Sequence, residues 1–237
     1  MTIFTSTFEV GATSEWTGTI GTPVIEGAPV HHGSWSCELN VGDLCYKTMA
    51  AVDEAYMRFY VNFSASNNAN SHSEFAYLGK DWAYMVGVVT KQYGGVQDFT
   101  MLDDSTNFYD SGVPITLNQW YCVEIAYKKA VAGFYKLWID GELKVNQAAD
   151  TSAKNNVDRI MLGNLNFGGV TFTENSDCVM VDSAYIGPEA AGGPTVKKGS
   201  CVPAMTALLT KFTALKQPRE PRFQPRSFPK FTPRALI

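Results

Sequence analysis

The sequence predicts an all-β protein: a two-sheet antiparallel jelly-roll sandwich over residues 1–193, followed by a C-terminal arm over 194–237. Three observations predict it. Short runs of alternating apolar and polar residues dominate residues 1–190. Polar Gly- and Asn-rich clusters separate them, notably 64–71 and 163–169. Composition and charge then change abruptly near residue 194. Regularly spaced short strands with turn signals between them indicate a sandwich or jelly roll.

The cleanest run is 55–63, where Met57, Phe59, Val61 and Phe63 point one way and Tyr56, Arg58, Tyr60 and Asn62 the other. Residues 82–89, 120–127, 134–139, 159–163 and 178–186 read similarly. In 120–127 the core residues are Tyr121, Val123, Ile125 and Tyr127. Asp140-Gly141 marks a hairpin turn, because Asp-Gly accepts positive φ at little cost. The count is about twelve to fourteen strands, with no helix before residue 200.

The arm divides in two. Over 203–217, Met205, Leu208, Leu209, Phe212 and Leu215 make one apolar stripe at helical spacing. Over 218–237, Pro218-Arg219, Pro221-Arg222, Pro225-Arg226, Pro229-Lys230 and Pro233-Arg234 forbid a helix and predict extended chain. Phe223, Phe228 and Phe231 are interleaved with them.

The net charge of −4 conceals two opposite halves. Residues 1–193 hold 10 Lys+Arg against 22 Asp+Glu, a net −12; the arm holds 9 against the single Glu220, a net +8. Such a chain attracts its own copies or offers the arm to another polyanion. As an assembly strap, the arm would use Phe212, Phe223, Phe228 and Phe231 as anchors and Arg219, Arg222, Arg226 and Arg234 as charges. Nucleic acid is the less expected polyanion.

No run of 18 uncharged apolar residues is present, which excludes a spanning helix. The opening Met1-Thr2-Ile3-Phe4 lacks the basic start and apolar stretch of a signal peptide. An exported form would therefore have lost a leader or use a route without one, as a virion component does. The expected location is extracellular, at a cell surface or on a virion. Five cysteines with no CxxC and no adjacent His pattern do not predict zinc. Cys37 with Cys45, across a hairpin, and Cys122 with Cys178 are the candidate disulfides; five reduced, buried thiols are the alternative.

Three stretches in order resemble the concanavalin A-like lectin/glucanase superfamily, particularly its LamG-like jelly rolls. One is Thr7-Phe8-Glu9-Val10-Gly11 with Trp16 and then Val30-His31-His32-Gly33-Ser34; another is Met57-Arg58-Phe59-Tyr60-Val61. The third is Trp120-Tyr121-Cys122-Val123-Glu124-Ile125, followed by residues 136–143 and Val181-Asp182-Ser183-Ala184. The resemblance implies two antiparallel sheets, one concave, on which lectins, hydrolases, lyases and structural modules are all built. It also implies a calcium position, where Glu9 and Asp182 match acids of the first and last strands. No other cofactor is expected.

Catalytic patterns are missing. Glucanases of similar fold carry Glu-x-Asp-x-Glu on one strand, which sets alternate carboxylates on one face. Here Asp53-Glu54 and Asp103-Asp104 are adjacent pairs, which a strand sends to opposite faces. A lyase reading has Tyr60 with Arg58 but no identifiable His or Gln partner, since His31, His32 and His72 lie in turn-like sequence. Glycan binding has better material: outward Arg58, Tyr60 and Asn62, with Trp82 and Tyr84 on a neighbouring strand. Asn62-Phe63-Ser64 is an N-glycosylation sequence, but a regular strand makes it a poor acceptor. The expected function is a non-catalytic, lectin-like jelly roll that self-assembles through its arm. A carbohydrate-binding module is the alternative, and a polysaccharide-degrading enzyme the third.

Overall fold

The computed structural model describes residues 1–65, 71–93, 96–165 and 173–189. Among these there are fifteen strands and no helix. In chain order they are β1 (Thr2–Ser6), β2 (Gly18–Ile20), β3 (Val24–Glu26), β4 (Ser36–Asn40), β5 (Leu44–Val52), β6 (Glu54–Phe63), β7 (His72–Lys80) and β8 (Ala83–Tyr93). There follow β9 (Val96–Asp103), β10 (Phe108–Pro114), β11 (Trp120–Lys128), β12 (Gly133–Ile139), β13 (Glu142–Ala149), β14 (Val157–Leu165) and β15 (Thr173–Asp182). The arm residues Phe212, Arg219, Arg222, Phe223, Arg226, Phe228, Phe231 and Arg234 lie outside the described residues, as does Cys201.

The strands form two antiparallel sheets. The eight-stranded one runs β13-β12-β11-β6-β15-β4-β3, with β1 also paired to β15; the seven-stranded one runs β10-β9-β8-β7-β14-β5-β2. The alternation of β6 is observed: Met57, Phe59, Val61 and Phe63 are fully buried between the sheets. Tyr121, Val123, Ile125 and Tyr127 of β11 join them, opposite Phe75, Leu78, Val86, Val88 and Phe99 of the other sheet. Edge-to-face contacts link Phe63 to Phe75 at 5.2 Å and Phe99 to Tyr121 at 5.0 Å. Such pairs favour one arrangement of rings over others of equal burial.

The β12–β13 turn carries Asp140 at φ 52° and Gly141 at φ 81°, as Asp-Gly predicts. The last strand differs from expectation. It starts at Thr173 and stops at Asp182 rather than reaching residue 186. Beyond it the amides of Ile186 and Gly187 turn to the carboxylate of Glu124, each at 2.8 Å, instead of continuing a ladder.

Candidate functional site

Arg58, Tyr60 and Asn62 do face away from the core, but they are not open to solvent: they are 0%, 6% and 2% exposed. Two irregular segments cover Arg58 and Tyr60. Residues 183–189 cross back over the eight-stranded sheet, and Arg58 donates to the Gly187 and Cys178 carbonyls at 3.3 and 3.4 Å. The Glu189 carboxylate lies 3.7 Å from the same guanidinium, and the Glu189 amide donates to the Tyr60 hydroxyl at 2.8 Å. From the other side, the loop before β4 lays the His31 ring on Tyr60, centroids 3.6 Å apart. Asp177 of β15 holds that loop by accepting the His31 and His32 amides at 3.2 and 2.9 Å.

Burial governs the electrostatics here. It pushes Glu124 up to about 7 and Asp177 up to about 6, against amide donors that pull both down. It pushes His31 down to about 4, with His32 and Arg58 acting in the same direction. Arg58 is thus a sequestered cation among carboxyl groups. A cavity of about 420 Å³ opens beside it, lined by His31, Tyr60, Trp120, Cys122, Asp140 and Glu189 among others.

Trp82 and Tyr84 are elsewhere. Alternation sets which way a side chain points within a strand but not which sheet the strand joins. β7 and β8 belong to the seven-stranded sheet, so Trp82 and Tyr84 sit on the opposite side of the sandwich from Arg58. There they meet residues that alternation alone did not single out. Trp82, 53% exposed in the β7–β8 turn, packs edge-on to Tyr46 of β5 at 5.3 Å. The Arg159 guanidinium of β14 lies 4.5 Å from the Trp82 ring centre and 5.2 Å from that of Tyr46. Tyr84 packs against Tyr77 at 6.4 Å, over a floor of Leu44 and Met161.

Local chemistry positions this surface. The β7–β8 turn is held to β14 where the Asp81 amide donates to Asp158 at 2.9 Å and Lys80 pairs with the same carboxylate at 3.6 Å. Gly79 lets the turn fold back tightly, since a Cβ there would collide with the Ala83 carbonyl. Nε and Nη1 of Arg159 and the hydroxyl of Tyr77 are buried without a hydrogen-bond partner among the described residues. Glu74 of β7 is buried enough to be pushed up to about 7. Two aromatic rings and the half-buried Arg159 side chain share one face, over the buried Tyr77, an arrangement that suits stacking on a sugar ring beside a cation.

The other predicted sites separate. Glu9 lies past the end of β1 and accepts the amides of Ser34 and Trp35 at 2.7 and 3.0 Å. Asp182, opposite Thr2 at the other end of the β1–β15 ladder, binds the Met1 amino group at 2.8 Å. The two acids do not form one ligand set, and the calcium position does not fit these residues. Cys37, Cys45, Cys122 and Cys178 are buried and none is joined to another. Cys37 and Cys45 lie in different sheets rather than across a hairpin, thiol to thiol, and that contact together with burial pushes Cys37 up. Asp103 caps the β9–β10 turn, while Asp104 pairs with Lys154 at 2.9 Å and Glu54 with Lys128 at 2.9 Å. These acids all have hydrogen-bond or ion-pair partners within the fold.

No protein-family profile and no curated protein matches the chain. Solved structures match its fold at low identity. An endo-β-1,4-glucuronan lyase from the fungus Trichoderma reesei is 12% identical with a TM-score of 0.59, over 78% of this chain and 97% of that one. The cellulose-induced protein Cip1 is 15% identical at 0.57, over 78% and 99%. The receptor-binding domain of a botulinum neurotoxin C/D mosaic serotype is 13% identical at 0.54, over 77% and 48%. At these identities the likeness is one of fold: an all-β jelly-roll-like sandwich.

Proposed function

We propose that the protein is a glycan-binding jelly roll whose binding face is the outer side of the seven-stranded sheet, and that its ligand is an acidic saccharide. The observation that carries this reading is the Trp82–Arg159–Tyr46 cluster, with the indole exposed and the guanidinium against both rings. A planar guanidinium held against two rings costs little entropy to present to a carboxylate. The exposed indole offers the apolar face on which sugars stack. The glucuronan lyase named above acts on a uronate polymer, which agrees with this choice of ligand class. Adjacent acid pairs spent on turns and lysines support a binding role over hydrolysis.

The test is calorimetric titration with uronate and neutral oligosaccharides of matched length, using wild type, Trp82→Ala and Arg159→Met. Binding confined to the uronate series and lost in both variants supports the reading. Binding unaffected by either variant sinks it. Unsaturated products, seen by ultraviolet absorbance, would move the assignment to a lyase.

A second reading, self-association through the arm, is favoured by the opposition of −12 in residues 1–193 to +8 in 194–237. It predicts a solution mass above the monomer for the full chain that falls at high salt or on truncation after residue 193. A mass indifferent to both removes it.

A further inference from the structure

We propose that His31, Cys178 and Glu189 form a binding site for a divalent transition metal, with zinc the ion that suits them best. Their ligand atoms all lie within 4.8 Å of one another, yet they come from three separate segments: the loop before β4, β15, and the chain beyond β15. The spacing in sequence therefore hides what the fold assembles. One thiol, one imidazole and one carboxylate are a ligand set zinc accepts, with a fourth position left open. The adjoining cavity, lined by His31 and Glu189, supplies room for that position.

Independent features point the same way. Regular alternation would send Cys178 to the core, because Asp177 before it faces outward. A bulge between Asp177 and Met180 instead turns the thiol to the outer face, and Cys178 adopts φ 50°, a backbone region disfavoured for any residue but glycine. Nδ1 of His31 is buried with no hydrogen-bond partner among the described residues. Its ring is already fixed by the stack on Tyr60, and its backbone by Asp177. Oε1 of Glu189 is also buried without a hydrogen bond, at 3.7 Å from Arg58, while the Glu189 amide is anchored on Tyr60. Supporting groups that hold ligands in place are typical of metal sites.

A dication beside Arg58 would bring three positive charges to a pocket that holds the Cys178 thiol, Glu189, Asp177 and Glu124. On binding, the Cys178 thiol yields its proton to solvent and its sulfur donates a pair to the metal.

The experiment uses the full chain, stripped with chelator and titrated with Zn(II) and, separately, with Co(II) as a spectroscopic probe. A Cys201→Ser background removes the thiol outside the described residues. The expected result is one equivalent of metal and a thiolate-to-cobalt charge-transfer band, absent in Cys178→Ser. His31→Ala and Glu189→Gln should each weaken binding by at least about tenfold. The last two keep the test decisive should Cys178→Ser fail to fold. No stoichiometric uptake, or uptake unchanged in both His31→Ala and Glu189→Gln, overturns the proposal.

Discussion

The guanidinium of Arg159, on β14, lies 4.5 Å from the ring centre of Trp82, in the turn between β7 and β8. Asp158, next to Arg159, accepts the amide of Asp81, next to Trp82. The ring and the cation are therefore held by neighbouring anchors. Trp82→Ala should reduce affinity for uronate oligosaccharides by at least about tenfold, the scale of one good aromatic contact. Asp158→Ala should cost less, about threefold, by loosening the turn alone. Calorimetry on both variants, with thermal unfolding to show that each remains folded, checks the ranking.

Arg58 is a different kind of arginine. It is fully buried and its donors go to the Gly187 and Cys178 carbonyls, with Glu189 beside it. Arg58→Ala would leave Glu124 and Glu189 without their cation and should destabilise the fold by about 3–5 kcal/mol. Glycan affinity of the folded fraction should not change. Denaturant titration paired with binding at low temperature separates the two effects.

Glu74 sets a pH dependence. Burial raises its carboxyl from 4.5 to about 7, so between those values the folded chain holds a proton that the unfolded chain has lost. The groups facing it are Tyr77 and Tyr84, both uncharged in this range. Its contribution to stability is present below pH 4.5 and is lost as pH rises to about 7. Glu74→Gln should match wild type near pH 4.5 and exceed it by on the order of 2 kcal/mol at pH 8. Denaturant midpoints across that range measure the difference; parallel curves would contradict it.

Glu174 is the odd residue of the core. It lies on β15 between Leu39 and Phe63, and neither carboxylate oxygen has a hydrogen-bond partner among the described residues. Complete burial pushes its carboxyl well above the usual range. Glu174→Met, similar in length and without the desolvated group, should raise stability by about 1–3 kcal/mol. A lower unfolding midpoint would show that the carboxyl has a role the packing does not reveal.

Much of the fold was legible because it depends on local rules. Alternation in 55–63 and 120–127 assigned the core faces of β6 and β11, and Asp140-Gly141 marked its turn. What lay beyond reach was long-range. Nothing in the β6 pattern says that residues 183–189 fold back over Arg58, because that segment has no periodicity of its own. Nor does alternation say that β6 and β7, consecutive in the chain, enter different sheets. Trp82 and Tyr84 therefore do not join Arg58 and Tyr60. Their neighbours, Tyr46 and Arg159 for Trp82 and Tyr77 for Tyr84, lie on three strands that only the sheet order brings together.

That sheet order also governs how the molecule must be made. β15 sits between β6 and β4, and β14 between β7 and β5, so the last two strands each complete the middle of a sheet. During synthesis, β6 and β4 emerge with no partner between them until about a hundred further residues have followed, on the order of 10 s at ribosomal rates. Each half-sheet meanwhile presents an open, apolar edge of the kind that other chains can cap. The nascent polypeptide is thus most vulnerable to aggregation late, and a pause or premature stop shortly before residue 157 would leave both sheets split. Chaperone demand should peak there rather than at the start.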